Sequence, residues 1–251
     1  MPAETEIGRY YETQDYISHS DTHAGLMNRV YHWVRSYMLG SKARLVEKAS
    51  NLQHGSLLDI GCGTGYFAHT MQLRGWEVEA IEKSDNARAF AQQQFGLKVQ
   101  DESQTDSFGD QRFDVITLWH VMEHIENMAA LWTSLTRQLK DSGRLIVAVP
   151  NCESYDASIY KSRWAAYDVP RHLWHFSVPT MSRMAQQYGF ELISKRTMPF
   201  DAFYVSMLSE KYKGNKFYFL KGLCVGACCW LKTLWNVDKS SSLIFIFRKK
   251  R

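Results

Sequence analysis

The sequence has little cysteine, and what it has follows no framework. Cys62, Cys152, Cys224, Cys228 and Cys229 are odd in number and scattered, without the paired CxxC spacing of a zinc knuckle or the even set of a small disulfide scaffold. A reducing, cytoplasmic setting is the expectation. Long apolar runs are lacking too: Gly222–Leu231 is ten small or apolar residues between Lys221 and Lys232, about half of the roughly 20 that a spanning helix needs. No transmembrane helix is therefore expected. The amino terminus, Met1-Pro2-Ala3-Glu4-Thr5-Glu6, is acidic and polar, unlike the basic-then-apolar order of a secretion signal. Internal repeats and low-complexity blocks are also missing, which excludes solenoids and fibrous arrays.

What is present is an ordinary globular composition, 45% hydrophobic and 22% charged, so disorder is not expected either. The 251 residues accommodate one α/β domain with extra segments, whereas two full domains would be cramped. Charge is uneven. Residues 1–200 hold 20 basic and 23 acidic residues, while residues 201–251 hold 10 and 3, leaving +7 on the carboxyl-terminal segment. Its lysines are interleaved with Phe217, Tyr218, Phe219, Trp230 and Trp235, a mixture that suits an anionic membrane surface as well as nucleic acid. A solvated basic face beside buried aromatics is the commoner structure for such a segment.

Between Ser56 and Val149 short apolar runs alternate with amphipathic stretches, the pattern of parallel strands joined by crossover helices. The spacing predicts strands at Leu57–Ile60, Glu77–Glu82, Leu97–Gln100, Phe113–Trp119 and Arg144–Val149. It predicts helices near Phe67–Arg74, Asn86–Gln94 and Met128–Leu139, with Gly143 turning the chain after Lys140-Asp141-Ser142. A lead-in helix or helix pair over Gly25–Ala49 presents Leu26, Val30, Val34, Tyr37, Met38 and Leu45. Residues 151–178, rich in Trp, Tyr, His and Pro, read as a long ordered loop. Pro179–Tyr188 follows as a helix, then Glu191–Thr197 as a sixth strand and Ser242–Phe247 as the last.

The run Leu57-Leu58-Asp59-Ile60-Gly61-Cys62-Gly63-Thr64-Gly65 is a strand that ends in a glycine turn. Such a turn lets the backbone approach a ligand at the carboxyl end of the sheet, where open α/β folds bind nucleotides. Tyr66 stands where a dinucleotide-binding GxGxxG turn has its third glycine, so the pattern is GxGxG and NAD is disfavoured. Glu82, about 20 positions on at the tip of the next strand, can accept hydrogen bonds from both ribose hydroxyls.

These residues, with Phe113-Asp114-Val115-Ile116-Thr117-Leu118-Trp119-His120-Val121-Met122-Glu123-His124, resemble the successive motifs of class I S-adenosylmethionine-dependent methyltransferases, in particular the bacterial ubiquinone-pathway O-methyltransferases. The resemblance covers most of the core. It implies a Rossmann-like, doubly wound α/β sheet of seven strands with the last antiparallel. Residues 1–50 would form an amino-terminal helical lid segment and residues 51–251 the methyltransferase domain, with an acceptor-side loop at 151–178 after strand five and a basic aromatic insert at 201–241 after strand six. It implies S-adenosylmethionine as cofactor, released as S-adenosylhomocysteine, with Asp59, Gly61, Cys62, Gly63 and Gly65 at its methionine part and Glu82 at its ribose. Asp101 is the candidate for the adenine-binding acid, and Leu118 and Trp119 for apolar walls of the pocket, although an apolar strand end is equally expected in plain core.

Methyl transfer from a sulfonium needs alignment of nucleophile and methyl group, and a base only when the acceptor arrives protonated. His124 and His120, just past strand four, and His172 are the candidate bases, because histidine titrates near neutrality. Some relatives bind a metal near His120, Glu123 and His124, but here His120 stands where a second carboxylate would be wanted, so no metal is assigned. Capping of the following helix is the alternative role for that cluster. The loop Tyr167-Asp168-Val169-Pro170-Arg171-His172-Leu173-Trp174-His175-Phe176-Ser177 is similar to an acceptor-side signature of several relatives, which makes Asp168, Arg171 and His175 substrate candidates. A guanidinium there can pair with a carboxylate or phosphate, or Arg171 and Asp168 can simply staple the loop. Tyr16 and His19 are candidates on a lid. The expected reaction is methylation of an oxygen on a small-molecule or lipid-like acceptor, with peripheral membrane contact through 201–241 open. RNA methylation and a non-catalytic cofactor-binding protein are the alternatives. No accessory RNA-binding signature supports a nucleic-acid partner, and oligomeric state is left open.

Overall fold

The computed structural model describes residues 26–101 and 111–250, with the side chains described from residue 32 onward. Tyr16 and His19 lie outside the described residues. The first element is α1, Leu26–Ser50. It leads into β1 (Ser56–Ile60), α2 (Tyr66–Leu73), β2 (Glu77–Ile81), α3 (Asp85–Phe95), β3 (Val99–Gln100) and β4 (Phe113–Trp119). A 3-10 turn at Met122–His124 precedes α4 (Met128–Gln138) and β5 (Leu139–Pro150). Then come α5 (Tyr155–Tyr160), α6 (Val178–Gln187), β6 (Phe190–Thr197), α7 (Asp201–Tyr212), α8 (Tyr218–Thr233) and β7 (Ser242–Lys249). The strands form one seven-stranded sheet in the order β3-β2-β1-β4-β5-β7-β6. Strands β1 to β5 pair in parallel, and β7 runs antiparallel to both β5 and β6, as the resemblance implied.

Strand alternation divides the core into two faces. Leu58, Ile60, Ile116, Leu118, Val147 and Phe245 pack with Trp132 and Leu135 of α4 and Met181 of α6. Leu57, Val115, Ile146 and Ile244 pack with Ala43 and Val46 of α1 and Phe67 and Met71 of α2. Helix α1 is therefore part of the layer that covers one face of the sheet. Its buried side centres on Ala43 and Val46, with Met38 and Leu39 beside them, whereas Tyr37, expected on the apolar stripe, is exposed.

Two further expectations are corrected. Gly143 does not follow a helix stop: α4 ends at Gln138, and Leu139 already pairs with Phe113 before the register shifts. The Lys140 ammonium, 2.9 Å from Asp114 Oδ2, holds the extra residues against the sheet. Residues 151–178 are not all loop, because Ser154 caps α5 by accepting from Ala157 N. In α5 the 0%-exposed Asp156 accepts hydrogen bonds from Trp164 Nε1 and Ser241 Oγ, each at 2.7 Å. The 201–241 insert is a helix pair, α7 and α8. It packs on the 151–178 segment through Val205 against Ala157, Tyr160 and Trp164, and through Ser209 Oγ, which accepts from Ala165 N at 2.9 Å.

The insert starts and ends at the rim that holds the glycine turn. Thr197 at the end of β6 is opposite Leu243 at the start of β7, and Ser242 is opposite Pro150 at the end of β5.

Trp132 is fully buried and contacts Tyr188, Phe190 and Phe247 at ring distances of 5.6–6.3 Å. Trp132→Ala is expected to lower unfolding free energy by about 3–5 kcal/mol, read by urea titration, with Trp132→Phe retaining most of the stability.

Candidate active site

The alternation that builds the core also aims the polar residues. Asp59 pairs in register with Thr117, and with Trp119 they share the α1 face of the sheet. Asp59 is 1% exposed, and Thr117 Oγ1 donates to its Oδ1 at 2.7 Å. Burial drives the Asp59 pKa up to about 7, against Thr117 and Lys42, which lower it. Lys42 reaches this pocket from α1, its Nζ 4.4 Å above the Trp119 ring. Burial lowers the Lys42 pKa, opposed by Asp59 and Asp201. Sequence reasoning missed Lys42. The available signal was a lysine set between Met38 and Val46, four residues from each, on the buried side of a helix.

The turn itself has left-handed backbone at Gly61 (φ 69°), Gly63 (φ 56°) and Gly65 (φ 80°). A Cβ on Gly61 would lie 2.3 Å from Val121 Cγ2, and one on Gly65 2.7 Å from Leu97 Cδ1, but one on Gly63 meets no heavy atom within 4 Å. Gly63 therefore borders open space, and its N–H donates to Glu82 Oε2 at 2.8 Å. Ser84 N donates to Glu82 Oε1 at 2.9 Å, so Glu82 shapes the turn directly. The Cys62 thiol pKa is pushed up, by burial first and then by Asp59 and Glu82, so it is no thiolate nucleophile. Asp101 lies near the same rim, its Oδ2 2.8 Å from Arg88 Nη1, which also donates to Glu82 O. Leu118 faces the other way: it is 0% exposed in the α4-side core, because it sits one residue out of step with Thr117 and Trp119. Of the two wall candidates only Trp119 is on the pocket side, and its buried Nε1 has no hydrogen-bond partner among the described residues.

Past β4 the chain takes φ 59° at His120, whose N–H donates to Ala148 O at 2.9 Å. Its ring bridges two carboxylates: Nδ1 is 3.4 Å from Glu123 Oε1 and Nε2 3.2 Å from Asp201 Oδ2. Burial lowers the His120 pKa, but Asp201 and Glu123 outweigh it and hold it at about 10. An imidazolium held in this way has no lone pair to receive a proton at neutral pH. Burial raises the Glu123 pKa, yet His120, His124 and His172 bring it below the ordinary value.

The 168–175 loop is hung on this turn. Leu173 N and Trp174 N donate to Glu123 O at 2.8 and 3.2 Å, and Trp174 Nε1 donates to Ile125 O at 2.7 Å. The His124 and His172 rings meet edge to face at 4.7 Å. Nδ1 of His172 lies 2.8 Å from Ala166 O, and Nδ1 of His124 lies 3.1 Å from Arg171 O. A carbonyl only accepts, so each ring carries a proton on Nδ1. Burial is the main reason the His172 pKa falls below 6.5. Arg171 Nη2 pairs with Asp168 Oδ1 at 2.7 Å, and His175 is exposed with Nε2 3.0 Å from Tyr167 O. Among the described residues, Glu123, His124 and His172 present ligand atoms within 4.8 Å of one another, a set that can take a divalent cation and in which His172 replaces the His120 considered from sequence.

An open glycine cradle, a strand-end glutamate and a buried aspartate on one rim of this sheet define a Rossmann-like protein with a nucleoside-cofactor site. A family model described as a methyltransferase domain matches residues 31–195. A ubiquinone biosynthesis O-methyltransferase of Rickettsia bellii is 26% identical over 178 residues, covering 66% of this chain and 72% of that protein. A Neisseria meningitidis protein of the same name is 26% identical over 174 residues, covering 62% and 70%. Magnesium protoporphyrin IX methyltransferase from Synechocystis, solved with S-adenosylhomocysteine, superposes with a TM-score of 0.61 at 13% identity, over 98% of this chain and 99% of that one; that likeness is one of fold. The chain belongs to the methyltransferase-domain family and is a class I S-adenosylmethionine-dependent methyltransferase.

His120 has a pH consequence with a definite sign. Because its folded-state pKa lies near 10 and its ordinary value is 6.5, its contribution to stability is fully present below pH 6.5 and is lost as pH rises toward 10. Melting temperatures of the protein and of His120→Asn are expected to differ most at pH 6 and to converge by pH 10. Separately, Gly63→Ala is expected to keep the fold at a cost of about 1 kcal/mol while calorimetry shows S-adenosylhomocysteine binding weakened at least tenfold.

Proposed function

We propose that the protein methylates an oxygen of a small or lipid-like acceptor and that His172 is the base that receives the acceptor proton. The observation that carries this reading is the His172 ring: neutral at neutral pH, fixed through Nδ1 on Ala166 O, and set against His124 within a loop whose sequence resembles an acceptor-side signature. Methylation of oxygen is the activity named for the Rickettsia and Neisseria relatives.

The cofactor fits the residues at the rim. The open side of Gly63 leaves room for it, Glu82 would accept from its ribose hydroxyls, and Asp101 would be the acid for its adenine. Asp59 and Lys42 would hold the zwitterionic methionine end by charge. When bound, S-adenosylmethionine supplies a sulfonium-borne methyl group. The protein aligns the acceptor oxygen with that methyl and excludes water. His172 Nε2 takes the proton that leaves the oxygen, and the Glu123 carboxylate, within 4.8 Å, stabilises the imidazolium that results. His124 packs His172 into place. The Asp168–Arg171 pair and His175 sit on the acceptor side, where the guanidinium can meet an acidic group of the acceptor.

Substitution tests the base. His172→Ala and His124→Ala are expected to lower kcat by about 10²–10⁴-fold with S-adenosylhomocysteine affinity preserved, and full activity in both variants would remove the assignment. The kcat/KM of the unmodified protein is expected to fall on the acid side below pH 6.5, where His172 becomes protonated.

A further inference from the structure

Helix α8 has one face built for protein and the opposite face apolar in solvent. Gly222, Gly226, Cys229 and Thr233 are buried and, at 3.6 residues per turn, occupy an arc of roughly 60°. They let α8 approach α7 closely: a Cβ on Gly222 would come 2.4 Å from Met207 Cα, and one on Gly226 2.6 Å from Phe203 Cα. On the same wheel Leu220, Cys224, Cys228 and Leu231 fall in an arc of roughly 80° on the far side, and Phe217 and Trp235 flank the helix at its two ends. All six are exposed; Phe217, Leu220 and Trp235 are 75%, 65% and 82% open. The 16-residue helix makes this stripe about 24 Å long, a continuous feature and not the scattered apolar exposure usual on a surface.

Charge around the stripe has one sign. Between Ala202 and Val237 there are five lysines and one acid, Glu210, and that acid is 1% exposed with Lys221 3.4 Å away. Lys221 and Lys232 project from one shoulder of the stripe on the helical wheel. The Lys213 and Lys232 ammonium groups lie over the Tyr160 and Tyr155 rings at 5.2 and 5.3 Å, cation–π contacts that keep positive charge beside the helix pair.

We infer that the outward stripe of α8 docks on an anionic lipid bilayer and lies in the plane of its headgroup boundary. No helix among the described residues is long and apolar enough to cross a membrane, so the helix rests on the surface with its apolar arc inserted and its lysines among the lipid phosphates. A second copy of the chain is the poorer occupant, because a two-fold contact through this stripe would bring the shoulders that carry Lys221 and Lys232 toward each other. The surface stands on its own and does not depend on which acceptor is methylated.

Vesicle co-sedimentation of the full chain tests it, with phosphatidylcholine vesicles against vesicles containing phosphatidylglycerol. Binding is expected to the anionic vesicles, to weaken as salt rises, and to fall about tenfold or more with Leu220→Glu or Trp235→Glu. Leu73→Glu, at a position on α2 that is 75% exposed, is expected to leave it unchanged. Equal binding to both vesicle types, no binding, or no loss in the α8 variants overturns the inference. So does a dimer in sedimentation velocity without lipid that Leu220→Glu dissociates, which would make the second copy the occupant.

Discussion

The site depends on one ion-paired ring. His120 lies where β4 stops, and its imidazolium is held between Glu123, three residues on, and Asp201, at the start of α7. A buried charge is tolerated only when its partners outweigh its desolvation, and here two carboxylates do so for one cation. The bridge positions Glu123, whose carbonyl receives the backbone of Leu173 and Trp174, and so brings His172 to His124. It also fixes the entry of the helical insert. Removal of the ring would take its nearest cation from Glu123, which is 1% exposed, and leave Asp201 with Ser242 and Lys42.

Much of this architecture was legible, for physical reasons. Strands buried on both faces must be apolar, whether parallel or not, so β1, β4 and the last strand stood out, and a strand ending in Asp59 before a glycine turn marks the cofactor rim. Boundaries failed where tertiary contacts overrode local signals. Lys140, Ser142 and Gly143 look like a helix exit, yet the Asp114 carboxylate captures Lys140 and keeps the segment in the sheet. Leu118 and Trp119 looked alike as walls, and only the register with Asp59 separates them, one into the core and one toward the pocket.

The chemistry was less legible, because spacing does not report protonation. His120 and His172 are both histidines in promising loops and each faces two acids, but hydrogen bonds to Asp201 and Glu123 hold the first charged, while at the second desolvation outweighs Glu123 and Asp168 and favours the neutral ring. Asp201 is about 80 residues from His120 in sequence, and no local pattern connects them. Lys42 was hidden for the opposite reason: it sits in a helix that looked like packing, and that helix contributes a wall of the pocket.

Because β6 and β7 are adjacent and antiparallel, the chain leaves and re-enters the sheet at the same edge of the rim. A connection of any length can therefore be grafted there without disturbing strand order, and whatever it carries is delivered beside the reacting centre. The α7–α8 hairpin reads as such a graft, an interchangeable module. Divergence among proteins of this fold can proceed by exchanging that module while the sheet, the glycine cradle and the methyl donor stay constant.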